Sequence, residues 1–552
     1  MKALTLPDMG FLYCETVSRP NHVAAMQIFD IPSDYQGDYG EDLYQQLMAC
    51  TKVEKPFNYT LYTAYSGMMH WQEDHNVELD YHVRRIRLPQ PGTREQLIEY
   101  IEHSHSNLMD RSRPLWEMHL ISGLANNQFS IYLKLHHAFT DGVKANRIIL
   151  SYLSPQADGA LQAFWSQTGF ESKQPDAKVK TSLVKALKQN GAILTKQVRA
   201  IPSIIGLGSK LLLQGAKVYK ANIPTPFTAP KTPFSVSPKR ARRAATSLLP
   251  LARVKNIGKI AGTTVNDVVV CICDIALHRY LADLNFKLKQ PLTAQIPVSL
   301  RDPSDTTSNN RIAITMVELA HSDASPLTRL MAIKDACDKL KQEARLLSDE
   351  ALTSYTLASQ GLAVISELLN LDTVLPPVGN VLISNVPGPR KPMYMMGAKM
   401  QECFPLSALP PGMSLNITLY SYMEHLNVGL IACRTNLPDL TKISSYIEDA
   451  FTELEQVMMT SAIDIVSEQI ARLGHDEALS NSMHELIDVI NDNACSTVTL
   501  DTTTVSSTTS TGIASNKVEA VAKKNDKKRM EKEKRQAVKV AQQTEKRSAK
   551  HK

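Results

Sequence analysis

From Phe129 to Leu135 apolar and polar side chains alternate without a break: Phe129, Ile131, Leu133 and Leu135 against Ser130, Tyr132 and Lys134. Successive side chains of a strand point to opposite faces, so this spacing predicts a strand with one apolar face. Two histidines follow. If the strand persists through them, His137 continues the apolar face and His136 the polar one. "HVAAMQIFDI" (22–31) predicts another strand, whereas "TREQLIEYIEHSHSNLMD" (93–110) spaces Leu97, Ile98, Ile101 and Leu108 for one face of a helix.

Such segments alternate up to about residue 165, which predicts an α/β domain over 1–165. The stretch 166–240 differs: 183–221 holds basic but no acidic residues, and a run of prolines follows. It is expected to be a partly helical interdomain linker. A second α/β domain is expected over 241–475, with a helix at "TTVNDVVVCICDIALHRYLAD" (263–283). Strand-like landmarks there are "RIAITMVEL" (311–319), "GNVLISNVPGP" (379–389) and "SLNITLYSYMEHLNVGLIAC" (414–433). Residues 476–552 form a C-terminal extension. From 496 a Ser/Thr-rich linker and a basic tail carry too little apolar content to pack, which predicts disorder.

At 552 residues, 43% hydrophobic and 21% charged, the chain has the balance of a globular protein with more than one core. The net charge of +6 comes from the end: residues 516–552 carry +9, leaving about −3 for the remainder. The basic balance therefore says little about the body, and no nucleic-acid partner is expected. The 8 cysteines form no CxxC pair, and most sit in apolar segments, so buried free thiols are expected. No apolar run approaches the roughly 18 residues that span a bilayer. The expectation is a cytoplasmic protein that touches membranes only peripherally, with the acid-free segment 183–221 as one docking candidate and an interdomain helix as its rival reading.

The chemistry-bearing stretch is "HHAFTDG". Asp141 can cap a helix starting at "VKANRIIL" or pair with an arginine, and Gly142 can supply an unusual φ in the turn. Surface or core-satisfied histidines remain an equal reading of the doublet at this point. The chain has no GxSxG elbow, P-loop, dinucleotide fingerprint or HExxH, and "HSHS" (103–106) lacks the companions of a metal site. No metal and no cofactor are expected.

"HHAFTDG" fits HHxxxDG, the signature of the CoA-dependent acyltransferase superfamily. With "RPLWEMHLISGL", "NDVVV", "PVSLR", "SNVPGP" and "LNITLYSY", in that order over about residues 1–470, the chain resembles the bacterial wax ester synthase/diacylglycerol acyltransferase family. The resemblance implies two chloramphenicol-acetyltransferase-like α/β domains with a catalytic channel between them. Acyl-CoA would be a substrate, a fatty alcohol or diacylglycerol the acceptor, and a membrane or lipid inclusion the working surface. His137 matches the catalytic base, with His136 as its support and Asp141 as a structural residue. Asn266 is a candidate oxyanion donor or, equally, a helix N-cap. Asp267 reads as structural, with an arginine as its expected partner. Pro114, Leu115 and Trp116 read first as core near the site and second as substrate contacts, and "SNVPGP" as a rigid turn. Where family members often carry Met-His-Val-Gly, this chain has Asn21, His22, Val23 and Ala24. A condensation-type or polyketide-associated acyltransferase, or a non-catalytic lipid-droplet binding protein, would be the alternatives. The sequence leaves the oligomeric state open.

Overall fold

The computed structural model describes residues 2–4, 6–63, 69–170, 227–299, 312–346, 349–369, 371 and 374–473. Most of the linker, including 183–221, and the extension from 476 lie outside them. Along the chain come β1 (Lys2–Ala3), α1 (Leu6–Cys14), β2 (His22–Asp30), α2 (Tyr39–Met48), β3 (Tyr59–Thr63), β4 (Met69–Glu73), α3 (Leu79–His82), β5 (Val83–Arg87), α4 (Arg94–His105), β6 (Trp116–Leu124), β7 (Gln128–His136) and α5 (Gly142–Ser151). Then follow β8 (Arg242–Pro250), α6 (Leu251–Ala261), α7 (Val265–Asp283), β9 (Thr293–Ser299), β10 (Ile312–Glu318), α8 (Pro326–Leu346), α9 (Asp349–Leu368), β11 (Val381–Pro387), β12 (Tyr394–Met395), β13 (Ala398–Leu406), β14 (Leu415–Tyr422), β15 (His425–Cys433) and α10 (Leu440–Leu473).

The strands form two six-stranded sheets and a small three-stranded one. The first large sheet runs β12-β13-β2-β7-β6-β5 and the second β10-β9-β11-β14-β15-β8. The first sheet therefore takes two strands from beyond residue 390: β13 lies antiparallel to β2, with Phe404 opposite Met26 and Leu406 opposite Ala24.

Alternation in β7 does not mean one dry and one wet face. Ser130, Tyr132, Lys134 and His136 are as buried as Phe129, Ile131, Leu133 and Leu135, because α4 covers the second face. Leu97 and Ile101 of α4 pack there with Met26, Ile28 and Tyr132, and the same cluster reaches Ala244 and Ile431 of the second sheet. Lys134 Nζ donates to the carbonyls of Ser104 (3.0 Å) and Asn107 (2.9 Å), satisfying acceptors at the end of α4. Burial brings its pKa down to about 8. The helix stops at His105, so Leu108 is exposed rather than part of the apolar stripe.

Two further expectations are corrected. "SNVPGP" is mostly strand: β11 pairs in parallel with β14 through Pro387, and only Gly388 and Pro389 leave it. A proline fits because β9 pairs with β11 only at Val381 and Leu382, so the far end of β11 has no ladder on that side. Asn266 is not the cap of α7. Thr264 is, and Asp267 closes a capping box with it.

Candidate active site

β7 ends at His136, and His137 is the first residue of a tight turn in which the His136 carbonyl accepts from Phe139 (2.9 Å) and Thr140 (3.1 Å). The strand does not run through both histidines. The turn delivers the chain to α5, where Asp141 is the N-cap and accepts from the Lys144 amide at 2.8 Å. Of its two expected roles, Asp141 thus fills the capping one. Gly142 is the first helical residue and is absent from the positive-φ positions, so an unusual φ is not its purpose. A Cβ there would meet Val386 at 4.0 Å across an open cavity.

The two imidazoles differ in what their nitrogens can do. His136 is fully buried, and its Nδ1 accepts the Ala138 N–H at 3.0 Å. An accepting ring nitrogen is unprotonated, so the neutral ring carries its proton on Nε2. That nitrogen stands 3.2 Å from Glu15 Oε1. His136 has no lone pair left for a substrate proton. Glu15 accepts from the Asn21 amide (2.9 Å) and from Arg111 Nε (3.1 Å) and Nη2 (2.9 Å). Burial alone would raise its pKa, but His136, the Asn21 amide and Arg111 together hold it down at about 2.

His137 gives its amide to the Asn21 carbonyl at 2.8 Å, and its ring stacks on Phe11 with centroids 3.9 Å apart and planes at 15°. Desolvation pushes its pKa down to about 4, opposed by a hydrogen bond to its own carbonyl and by the charge of Asp141. With its pKa this far below neutral the ring is uncharged at pH 7, so one of its two nitrogens keeps a lone pair.

Beneath the turn, Leu115 accepts the His136 amide (3.1 Å), and Trp116 pairs with Leu135 while its Nε1 donates to Phe57 (2.8 Å). Pro114, Leu115 and Trp116 are buried, and the Trp116 indole stacks on Trp165. Beside the turn lies an almost wholly apolar cavity. Its walls are Val23 and Ala25 of β2, Leu133 and Leu135 of β7, Ala145 and Ile149 of α5, and Val386 and Tyr420 of the second sheet, with Gly142 at its edge. It also touches Ala24.

Asn266 and Asp267 lie in the first turn of α7. That helix packs with α6, α8 and α10 in the core on the other face of the second sheet. Among the described residues, no hydrogen bond, ion pair or ring contact links either to the histidine turn. Asp267 Oδ1 lies 3.9 Å from Lys341, so its partner is a lysine and not an arginine. Among the described residues no group of three or more His, Cys, Asp or Glu is arranged to hold a metal ion.

A turn that carries an uncharged imidazole, flanked by Leu135 and Gly142 in the wall of an apolar cavity between two sheets, suits proton transfer near a lipid-like substrate. The family model described as the wax ester synthase/diacylglycerol acyltransferase (WS/DGAT) catalytic domain matches residues 4–269, and the WS/DGAT C-terminal domain matches 308–455. The chain belongs to the WS/DGAT family. As a WS/DGAT protein it is an acyltransferase. It is 33% identical over 463 residues to the O-acyltransferase WSD of Acinetobacter baylyi, covering 83% of this chain and 98% of that one. A Mycobacterium tuberculosis relative, named as a probable diacylglycerol O-acyltransferase, is 33% identical over 459 residues, 82% of this chain and 98% of the relative. The solved WS/DGAT structure from Marinobacter aquaeolei VT8 is 32% identical with a TM-score of 0.67, and covers 83% of this chain and all of that one. A condensation domain of the CDA synthetase, at 14% identity and a TM-score of 0.50, shares the fold alone.

Within this WS/DGAT chain, Glu15, Arg111 and Phe11 surround the doublet without having been singled out in the sequence, and Asn21 stood out there only as a departure from the family's pattern. A lone carboxylate in "YCETVS" has no spacing signal that ties it to a histidine 121 positions later.

Proposed function

We propose that this enzyme moves a long-chain acyl group directly from acyl-CoA to the hydroxyl of a fatty alcohol or diacylglycerol, with His137 Nε2 as general base. The contrast between the two imidazoles carries the reading: His136 spends Nδ1 on the Ala138 amide and sits with Nε2 beside Glu15, whereas the uncharged His137 ring stacks on Phe11 and keeps one nitrogen with a lone pair. The acceptor hydroxyl gives its proton to His137 Nε2 as its oxygen attacks the thioester carbonyl. The tetrahedral intermediate collapses, the C–S bond breaks, and the imidazolium returns the proton to the departing CoA sulfur. Thioester and alcohol become ester and thiol, with no net proton change. A thiol nucleophile finds little support: burial raises the pKa of both Cys14 and Cys403, the latter in the cavity wall. The apolar cavity suits a hydrocarbon chain. The oxyanion role of Asn266 rests on the family resemblance alone.

Substrates this apolar reside in membranes or lipid inclusions, and peripheral docking on such surfaces from the cytoplasm belongs to the same proposal. No single described helix is long and apolar enough to cross a bilayer. The decisive measurement is thiol release from palmitoyl-CoA across a panel of fatty alcohols and diacylglycerol. Acceptor-dependent release supports direct transfer, whereas an acylated protein trapped without acceptor would overturn it.

A further inference from the structure

His137 stands just beyond the end of β7. Its main chain and its ring are both held by the segment that enters β2. Phe11 presents its ring face to the imidazole at 3.9 Å. Asn21, only 6% exposed, makes three hydrogen bonds around it: Nδ2 donates to the Phe11 carbonyl at 2.8 Å, the main-chain carbonyl accepts from His137 at 2.8 Å, and the amide N–H donates to Glu15 at 2.9 Å. One residue thus sets the main chain of the presumed base, the seat of its stacking partner, and the carboxylate that faces its neighbour His136.

The stack has a chemical consequence. During transfer His137 becomes an imidazolium, and the negative face of an aromatic ring attracts a cation within about 6 Å of its centroid. The neutral imidazole gains much less from the same contact. An interaction stronger in the transition state than in the ground state raises turnover and leaves substrate binding unchanged. The titratable groups acting on the ring are Asp141, which favours the charged form, and His136, which opposes it. A side chain without an amide at position 21 would leave the Phe11 carbonyl without this donor.

We propose that Phe11 and Asn21 are positioning residues for acyl transfer, Phe11 by stacking on His137 where positive charge develops and Asn21 by bracing that stack through the Phe11 carbonyl. This deepens the assignment of His137 as base and rests on it.

The test replaces Phe11 with mono-, di- and trifluorinated phenylalanine in the full-length protein, which keeps the ring's shape and weakens its negative face. kcat for thiol release should fall stepwise, by about tenfold at trifluorination, with both KM values and the melting temperature steady. Asn21→Met should lower kcat by roughly three- to tenfold, and this loss should vanish when Phe11→Leu is already present. A flat fluorination series beside an inactive His137→Ala enzyme would overturn the stacking role and leave the base assignment standing. Turnover retained in His137→Ala would overturn the base assignment itself. Additive losses for Asn21→Met and Phe11→Leu would remove the brace.

Discussion

Glu15 Oε1 lies 3.2 Å from His136 Nε2 and 2.9 Å from the Asn21 amide, so one buried carboxylate joins the first histidine of the doublet to the residue that holds the second. Removing it takes the carboxylate away from a buried imidazole and from the Arg111 guanidinium, which keeps the Leu12 carbonyl. Glu15→Ala is expected to lower unfolding free energy by about 2–4 kcal/mol and Glu15→Gln by less, because the amide oxygen can still accept. Urea denaturation of the two variants measures the difference, and equal stability of Glu15→Ala and wild type would rule the pairing out.

The pH dependence of turnover follows from the environment of His137. With its pKa near 4, the imidazole is already neutral at pH 6. kcat/KM is expected to stay level from pH 8 to pH 6 and to fall with a single proton on approach to pH 4, well below the reference histidine value of about 6.5. A rate profile in non-interacting buffers checks this. A half-maximal rate near 6.5 would mean that His137 is solvated in the working enzyme.

Stability should respond to acid earlier than activity. Burial lowers the pKa of His22, His105, His119, His82 and His137 alike. The unfolded chain takes up protons through about 6.5, whereas the folded one resists, so stability is fully present above that pH and is lost as pH falls through it. Melting temperature should drop steadily from pH 7 to pH 5. His22, with both ring nitrogens unpartnered in complete burial, contributes without return. His22→Leu should shallow the acid slope, and an unchanged slope would refute its part.

Gly142 offers a test of why a glycine stands there. Gly142→Ala should fold with wild-type stability or slightly better, since the site is helical and a Cβ has open space. Gly142→Leu should instead shift turnover toward shorter acyl-CoA by narrowing the cavity. Thermal melts and a chain-length series of acyl-CoA separate the two effects. A loss above about 1 kcal/mol in the alanine variant would restore a conformational reason.

Much of the strand content was legible because alternation is local: β2, β7, β10, β14 and β15 lie where the apolar spacing puts them. The capping role of Asp141 was one of two readings, since a TDG turn before an apolar helix has few other uses. What stayed hidden is non-local. Nothing in "AKMQECFPL" announces pairing with a strand some 370 residues earlier. The polar face of β7 could not be known to be dry before α4 was seen to cover it. Glu15 and Arg111 bear on the doublet only through tertiary contact, and Gly142 looked like a φ residue because a DG turn usually needs one.

The place of β13 also sets a timetable for synthesis. The ribosome releases β2 long before Ala398–Leu406, the strand that covers one of its edges, has been made. At about 5–20 residues per second, that edge waits roughly 20–70 s for its partner. Over this interval the nascent chain offers a ready template for pairing with another chain. Expression yield should therefore depend on elongation speed between residues 30 and 406 and on holdase chaperones, and a fragment ending before residue 394 should accumulate as aggregate.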